Sequence, residues 1–88
     1  MTLPTASEYF ARRLDGHLRT LNSDAAKRLF LTAEAAKWQQ RYREFVATEG
    51  ERHGLPSPHY SQPQAADFLI VQGDITARLS ALQAMEAA

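Results

Sequence analysis

Cysteine is absent from this 88-residue chain. Disulfides are therefore excluded as a source of stability, and nothing marks a secreted disulfide scaffold. The expected compartment is the cytoplasm. Long apolar runs are missing too: the longest, Phe68 to Val71, has four residues, where a membrane helix needs about 20. No membrane role is expected. Met1 to Arg13 has no apolar run of the length a signal peptide requires, and two arginines follow Phe10 closely. An excess of one charge sign is also lacking, with ten Lys/Arg against ten Asp/Glu. The balance is uneven along the chain. Residues 1–48 hold eight basic and five acidic residues, and residues 49–88 hold two and five, which makes +3 and −3. Such halves can attract each other, but they are not the footprint of a nucleic-acid binder.

Glycine and proline number four each, and half of these eight residues fall between Gly50 and Pro58. The rest of the chain is nearly free of helix breakers. Its 44% hydrophobic content suffices for a core and is too high for a disordered chain. A chain of this size buries only about 60–65% of the surface its unfolded form exposes, so its margin of stability is thin. Size and composition predict one domain over residues 1–88. Arginine outnumbers lysine eight to two and there are fifteen alanines, a bias that points to a G/C-rich bacterial genome.

Helical periodicity is what remains when those absences are subtracted. Thr5-Ala6-Ser7-Glu8 fits a capping box. At 100° per residue Phe10, Leu14, His17, Leu18 and Leu21 then share one face of a first helix, about 6–21. Asn22-Ser23-Asp24 ends it and caps the next, a helix of about 24–49 with no Gly or Pro until Gly50. This second helix has two apolar faces. Leu31, Ala35, Trp38, Tyr42, Phe45 and Val46 form one, while Ala25, Leu29, Ala33, Ala36 and Ala47 lie nearly opposite. A helix apolar on two sides is normally covered on two sides, which predicts a central position. A break at Leu31 with Thr32 as a fresh cap is the competing assignment.

A Pro/Gly linker of about 50–62 follows. Pro56 to Tyr60 within it can serve as an extended ligand or, more simply, as a stiff return. Ser61-Gln62-Pro63-Gln64 then reads as a start signal for a third helix of about 63–86. Its stripe is Phe68, Val71, Ile75, Leu79 and Leu82; a strand over Phe68 to Val71 is disfavoured because the helical spacing continues to Leu82. The expected fold is all-α: a three-helix antiparallel bundle, up-down-up, with a long central helix.

Chemistry-bearing patterns are sparse. His53 and His59 lie in the linker beside Glu49 and Glu51, but the spacing matches no tight ligand motif and there is no thiolate. His17 lies on an apolar stripe, where a hydrogen-bonded, partly buried imidazole is the simpler reading. No serine stands in a nucleophile elbow, and no glycine-rich phosphate loop occurs. The expectation is a non-enzymatic chain with no cofactor and no metal. Arg12, Arg13, Arg19, Lys37 and Arg41 make up a candidate nucleic-acid face on the first two helices. Against it, Glu8–Arg12, Asp15–Arg19, Asp24–Arg28 and Asp74–Arg78 each place an acid four residues before a base, which neutralises the surface locally.

The most informative feature is a second face on the third helix. Ala66, Ile70, Gly73, Ala77 and Ala84 fall within about 40–60° of one another, with Leu69 alongside, away from the main stripe. A mid-helix glycine costs about 1 kcal/mol relative to Ala, so Gly73 needs a reason. Close approach of another helix supplies one. The sequence thus predicts a protein-protein interaction module, an adaptor, accessory subunit or small regulator. Its candidate interface is Ala66, Leu69, Ile70, Gly73 and Ala77, and its partner a second copy or another helical protein. A small nucleic-acid-binding regulator is the alternative.

Overall fold

The computed structural model describes residues 2–48 and 58–87. Three helices account for about four fifths of them: α1 (Ala6–Arg19), α2 (Asp24–Ala47) and α3 (Ala65–Ala87). Each start is chemically marked. Thr5 Oγ1 accepts the Glu8 N–H (3.2 Å) ahead of α1, and Ser23 Oγ accepts the Ala26 N–H (3.1 Å) ahead of α2, so each cap satisfies one amide the first turn leaves unpaired. The ends are marked as well. Thr20 donates its hydroxyl to the His17 carbonyl (2.6 Å) and Thr48 donates to that of Glu44 (2.8 Å). α1 and α2 thus end two residues short of the ends expected from periodicity. α2 is unbroken through Thr32.

α3 begins two residues later than expected, because its start signal is Gln64 and Asp67 rather than Ser61 and Gln64. The Asp67 carboxylate takes the Gln64 N–H at 2.8 Å, and the Asp67 N–H donates to the Gln64 carbonyl at 3.0 Å. Pro63 is buried just outside the helix. The linker residues 49–57, with His53, fall outside the described residues.

The chain runs up-down-up. Ser7 of α1 meets Asp67 of α3 at one end, and Asp15 meets Arg78 further along, so α1 and α3 are parallel. Phe45 and Trp38 of α2 both meet Phe68 (centroids 4.9 and 5.8 Å), while Phe10 meets Trp38 (4.6 Å) and His17 meets Phe30 (4.0 Å). α2 is therefore antiparallel to both. Its closest packing is with α3.

The core is the α3 stripe, Phe68, Val71, Ile75 and Leu82, closed by Leu14 of α1 and by Leu31 and Trp38 of α2. Trp38 is 4% exposed and its indole Nε1–H donates to Glu34 (3.1 Å), so its large apolar area is buried without stranding the donor.

Three expectations fail. The second apolar face of α2 is not covered: Ala25, Ala33, Ala36 and Ala47 are exposed, and Leu29 is 75% exposed. α1 lies along the edge of α2, where Phe10 and His17 reach Trp38 and Phe30, and not on the alanine face. Methyl groups offer little area to bury, so nothing draws a neighbour there. The central position in space belongs to α3, which touches both other helices, although α2 is the longest at 24 residues. His17 is also exposed and stacks on Phe30, rather than lying partly buried in a hydrogen bond.

Candidate functional site

Two surfaces stand out: the outward face of α3 and a cleft between α1 and α2. On the first, all five residues singled out by the sequence, Ala66, Leu69, Ile70, Gly73 and Ala77, are exposed. Leu69 and Ile70 leave 51% and 56% of their surface in solvent. A methyl group added at Gly73 would meet nothing within 4 Å. Packing within the chain therefore makes no demand for glycine there. The same turns of α3 bury Phe68, Val71 and Ile75 on their other side, so the open face points away from the core.

The cleft exists because α1 and α2 meet only through side chains along their facing edges while each rests on α3. Phe10 and Trp38, edge to face at 4.6 Å, form a ridge across it. One lobe, of about 330 Å³, is lined by Ala6, Tyr60, Pro63, Asp67, Phe68 and Val71. The other, of about 260 Å³, is lined by Leu14, His17, Phe30, Glu34 and Lys37. Phe10, Trp38, Arg13 and Arg41 line both. The Arg41 guanidinium lies over the Trp38 ring at 4.7 Å, and that of Arg13 over the Tyr9 ring at 5.9 Å, both cation–π contacts.

Charge partners separate the cations into two groups. Arg78 is satisfied by Asp15 (2.6 Å) and by Asp74 (3.0 Å). Burial works against its charge, but the hydrogen bonds to Asp15 and Asp74 outweigh that and hold its pKa above the ordinary value. Asp15 thus pairs across helices with Arg78, and not with Arg19 four residues on. Lys37 pairs with Glu34 at 3.8 Å. Arg13 and Arg41 make no ion pair among the described residues.

Of the five residues considered for nucleic acid, the fold brings Arg13, Lys37 and Arg41 to the cleft. Arg12 and Arg19 are exposed and line neither lobe. The convergence on Phe10 and Trp38 was not anticipated, though one signal was present: aromatic-x-x-Arg recurs as Phe10–Arg13 and Trp38–Arg41.

His59 stacks on Tyr9 (5.8 Å, 10° between planes), and Tyr60 packs on Tyr9 and Phe10. The end of the linker is thus folded back on α1. No group of three or more His, Asp or Glu suited to a metal occurs among the described residues, and no helix among them is long and apolar enough to cross a membrane. The chain matches no protein family, no curated protein and no solved structure.

Proposed function

We propose that this protein is a non-enzymatic helical interaction module that pairs with a second copy of itself through the outward face of α3. The observation that carries this reading is the exposure of Leu69 and Ile70 beside a glycine whose missing side chain leaves open space. Gly73 weakens α3 by about 1 kcal/mol relative to Ala with no internal compensation. A helix crossing at Gly73 provides the compensation, because it can approach the backbone closely there.

The face also suits its own copy better than an arbitrary helix. Bulk lies on the N-terminal side of Gly73, at Leu69 and Ile70, and small residues lie on the C-terminal side, at Ala77, Ala81 and Ala84. An antiparallel two-fold pairing centred between residues 73 and 74 sets each Ile70 against the other copy's Ala77, and each Ala66 against Ala81. Knob meets hollow twice, as an isologous interface requires. No charged residue stands among Ala66, Leu69, Ile70, Gly73, Ala77 and Ala84; the register brings Gly73 beside the other copy's Asp74, whose charge is already paired with Arg78 at 3.0 Å. Adaptor, accessory subunit and small regulator are the roles open to such a module, and the cytoplasm is the compartment its lack of cysteine favours.

The test is Ala77→Glu, which nearly preserves helix propensity while placing a charge at the centre of the contact. Sedimentation should shift from dimer to monomer while far-ultraviolet circular dichroism stays helical; if folding requires the dimer, both signals fall together. Leu29→Glu on the outer face of α2 should leave association unchanged. A wild-type protein that sediments as a monomer at high micromolar concentration sinks the reading.

A further inference from the structure

The α1–α2 cleft lies on the opposite side of α3 from the proposed contact: Phe68 and Val71 present the inner face of that helix to its floor. Its chemistry is independent of self-association. We infer that the cleft is a binding site for a small anion carrying one flat ring, an aromatic carboxylate or an aryl phosphate.

Three features of the cleft converge on that ligand class. First, Arg13 and Arg41 come from different helices, line both lobes, and have no carboxylate partner among the described residues. An arginine whose guanidinium lies over an aromatic ring keeps the in-plane fork of N–H donors for a carboxylate or phosphate. The rings of Trp38 and Tyr9 thus hold the two guanidiniums in place without using those donors. Both arginines border either lobe an acid group could enter.

Second, the acids lining the cleft are already engaged. Both carboxylate oxygens of Asp67 accept backbone N–H groups, from Ser7 and Gln64. Glu34 accepts the Trp38 indole N–H and pairs with Lys37. Neither forms an ion pair with Arg13 or Arg41, and with Asp67 as its one acid the larger lobe keeps an excess of one positive charge.

Third, the partly open rings of Phe10 and Tyr60 border the larger lobe, with Trp38, Pro63, Phe68 and Val71 buried behind them, and a flat ring packs face-on or edge-on against such rings. Its volume of about 330 Å³ is at the small end of ligand pockets, which favours one ring over an extended molecule.

The single tryptophan makes the site directly observable, because Trp38 contributes the only indole N–H signal in a proton–nitrogen correlation spectrum. The full-length protein is titrated with benzoate and with phenyl phosphate, and separately with inorganic phosphate and benzyl alcohol. Benzoate or phenyl phosphate should move the Trp38 signal saturably below about 1 mM. The two half-ligands should bind at least about tenfold more weakly, since each lacks one of the two recognition elements. The comparison of benzoate with phenyl phosphate tells which acid group the arginines prefer.

Arg13→Gln and Arg41→Gln should each weaken binding about tenfold or more with the rest of the spectrum unchanged; a variant that loses dispersion is replaced by Arg→Lys, which keeps charge and loses the fork. The inference is overturned if neither aromatic anion gives a saturable shift at about 10 mM. It is equally overturned if inorganic phosphate binds as tightly as phenyl phosphate. It also falls if a single-stranded oligonucleotide binds and Arg12→Gln and Arg19→Gln weaken it as much as the cleft variants do, because the outer surface is then the site.

Discussion

Asp67 ties α3 to α1: one oxygen accepts the Gln64 N–H at 2.8 Å, and the other accepts the Ser7 N–H at 3.3 Å, sixty residues away. A single carboxylate thus answers an amide at the start of each helix, where the helix dipoles also favour a negative charge. Close by, Ser61 N–H donates to the Pro4 carbonyl at 2.9 Å, so the two entering chain segments are linked side by side. Asp67→Ala should lower stability by about 1–2 kcal/mol, the range of a lost helix cap joined to a charge-assisted bond. Asp67→Asn, which keeps one acceptor, should cost less than half of that. Urea unfolding followed by circular dichroism reads both, as a lower midpoint at unchanged slope. Equal losses for Ala and Asn would mean that the charge, and not the acceptor geometry, carries the effect.

At the other end of the α1–α3 contact, Arg78 joins the helices through Asp15 while bonding Asp74 on its own helix. Its side chain is 24% exposed, so solvent screens the interaction only in part. Arg78→Ala should cost about 1–2 kcal/mol, and Arg78→Lys somewhat less, because it keeps the charge, although an ammonium cannot span both acids as a fork does. The pKa of Arg78 is raised. A base with a raised pKa contributes stability that is complete below its unfolded value and is lost only as pH climbs through the folded one. For a guanidinium that window lies far above neutrality. The stability difference between wild type and Arg78→Ala, measured by denaturant at pH 7 and at pH 9, should therefore be the same. A difference that shrinks markedly at pH 9 would show that another group supplies it.

Bulky residues at helical spacing mark most of the core, although Val46, on the same expected face as Trp38, is 54% exposed. Phe68, Val71, Ile75 and Leu82 on α3, with Leu31 and Trp38 on α2, are buried as their period requires, because removing their large apolar areas from water is strongly favourable. Alanine carries no such obligation. Ala25, Ala33, Ala36 and Ala47 fall on one side of α2, but alanine also favours the helix when exposed, and these positions face solvent. The pattern was real and its meaning ambiguous.

The cleft was hidden for a different reason. Arg13, Lys37 and Arg41 were recognisable as basic residues on two helices, but their meeting depends on where α1 lands along α2. That placement is set by the Phe10–Trp38 and His17–Phe30 contacts, which couple residues 28 and 13 positions apart and leave no local periodic trace. The start of α3 shows the same limit on a small scale. Ser61–Gln64 and Gln64–Asp67 both place an acceptor and an amide at capping distance, and the choice between them rests on Ser7, which only the tertiary fold brings to Asp67.

Two glycines offer a separation of folding from association. Gly16 lies in α1 and Gly73 in α3; a methyl group added at either meets nothing within 4 Å. In the isolated chain both replacements are free of steric conflict, and each should gain about 0.5–1 kcal/mol from the higher helix propensity of alanine. If α3 pairs with its copy, the two sites differ. Gly16→Ala should raise the unfolding midpoint and leave sedimentation unchanged. Gly73→Ala puts a methyl group into the closest approach of the crossing helices from both copies at once, so the helices must move apart and lose contact along the whole face. The dimer should then dissociate at lower concentration than wild type, by about tenfold for a loss of about 1.4 kcal/mol, while the dissociated chain is more stable. Unfolding at low and high protein concentration, run beside sedimentation equilibrium, distinguishes these effects because only association makes the midpoint depend on concentration. If Gly73→Ala stabilises the protein at every concentration and dimerises as wild type does, the glycine is not a contact point and the pairing through Ile70 and Ala77 is wrong.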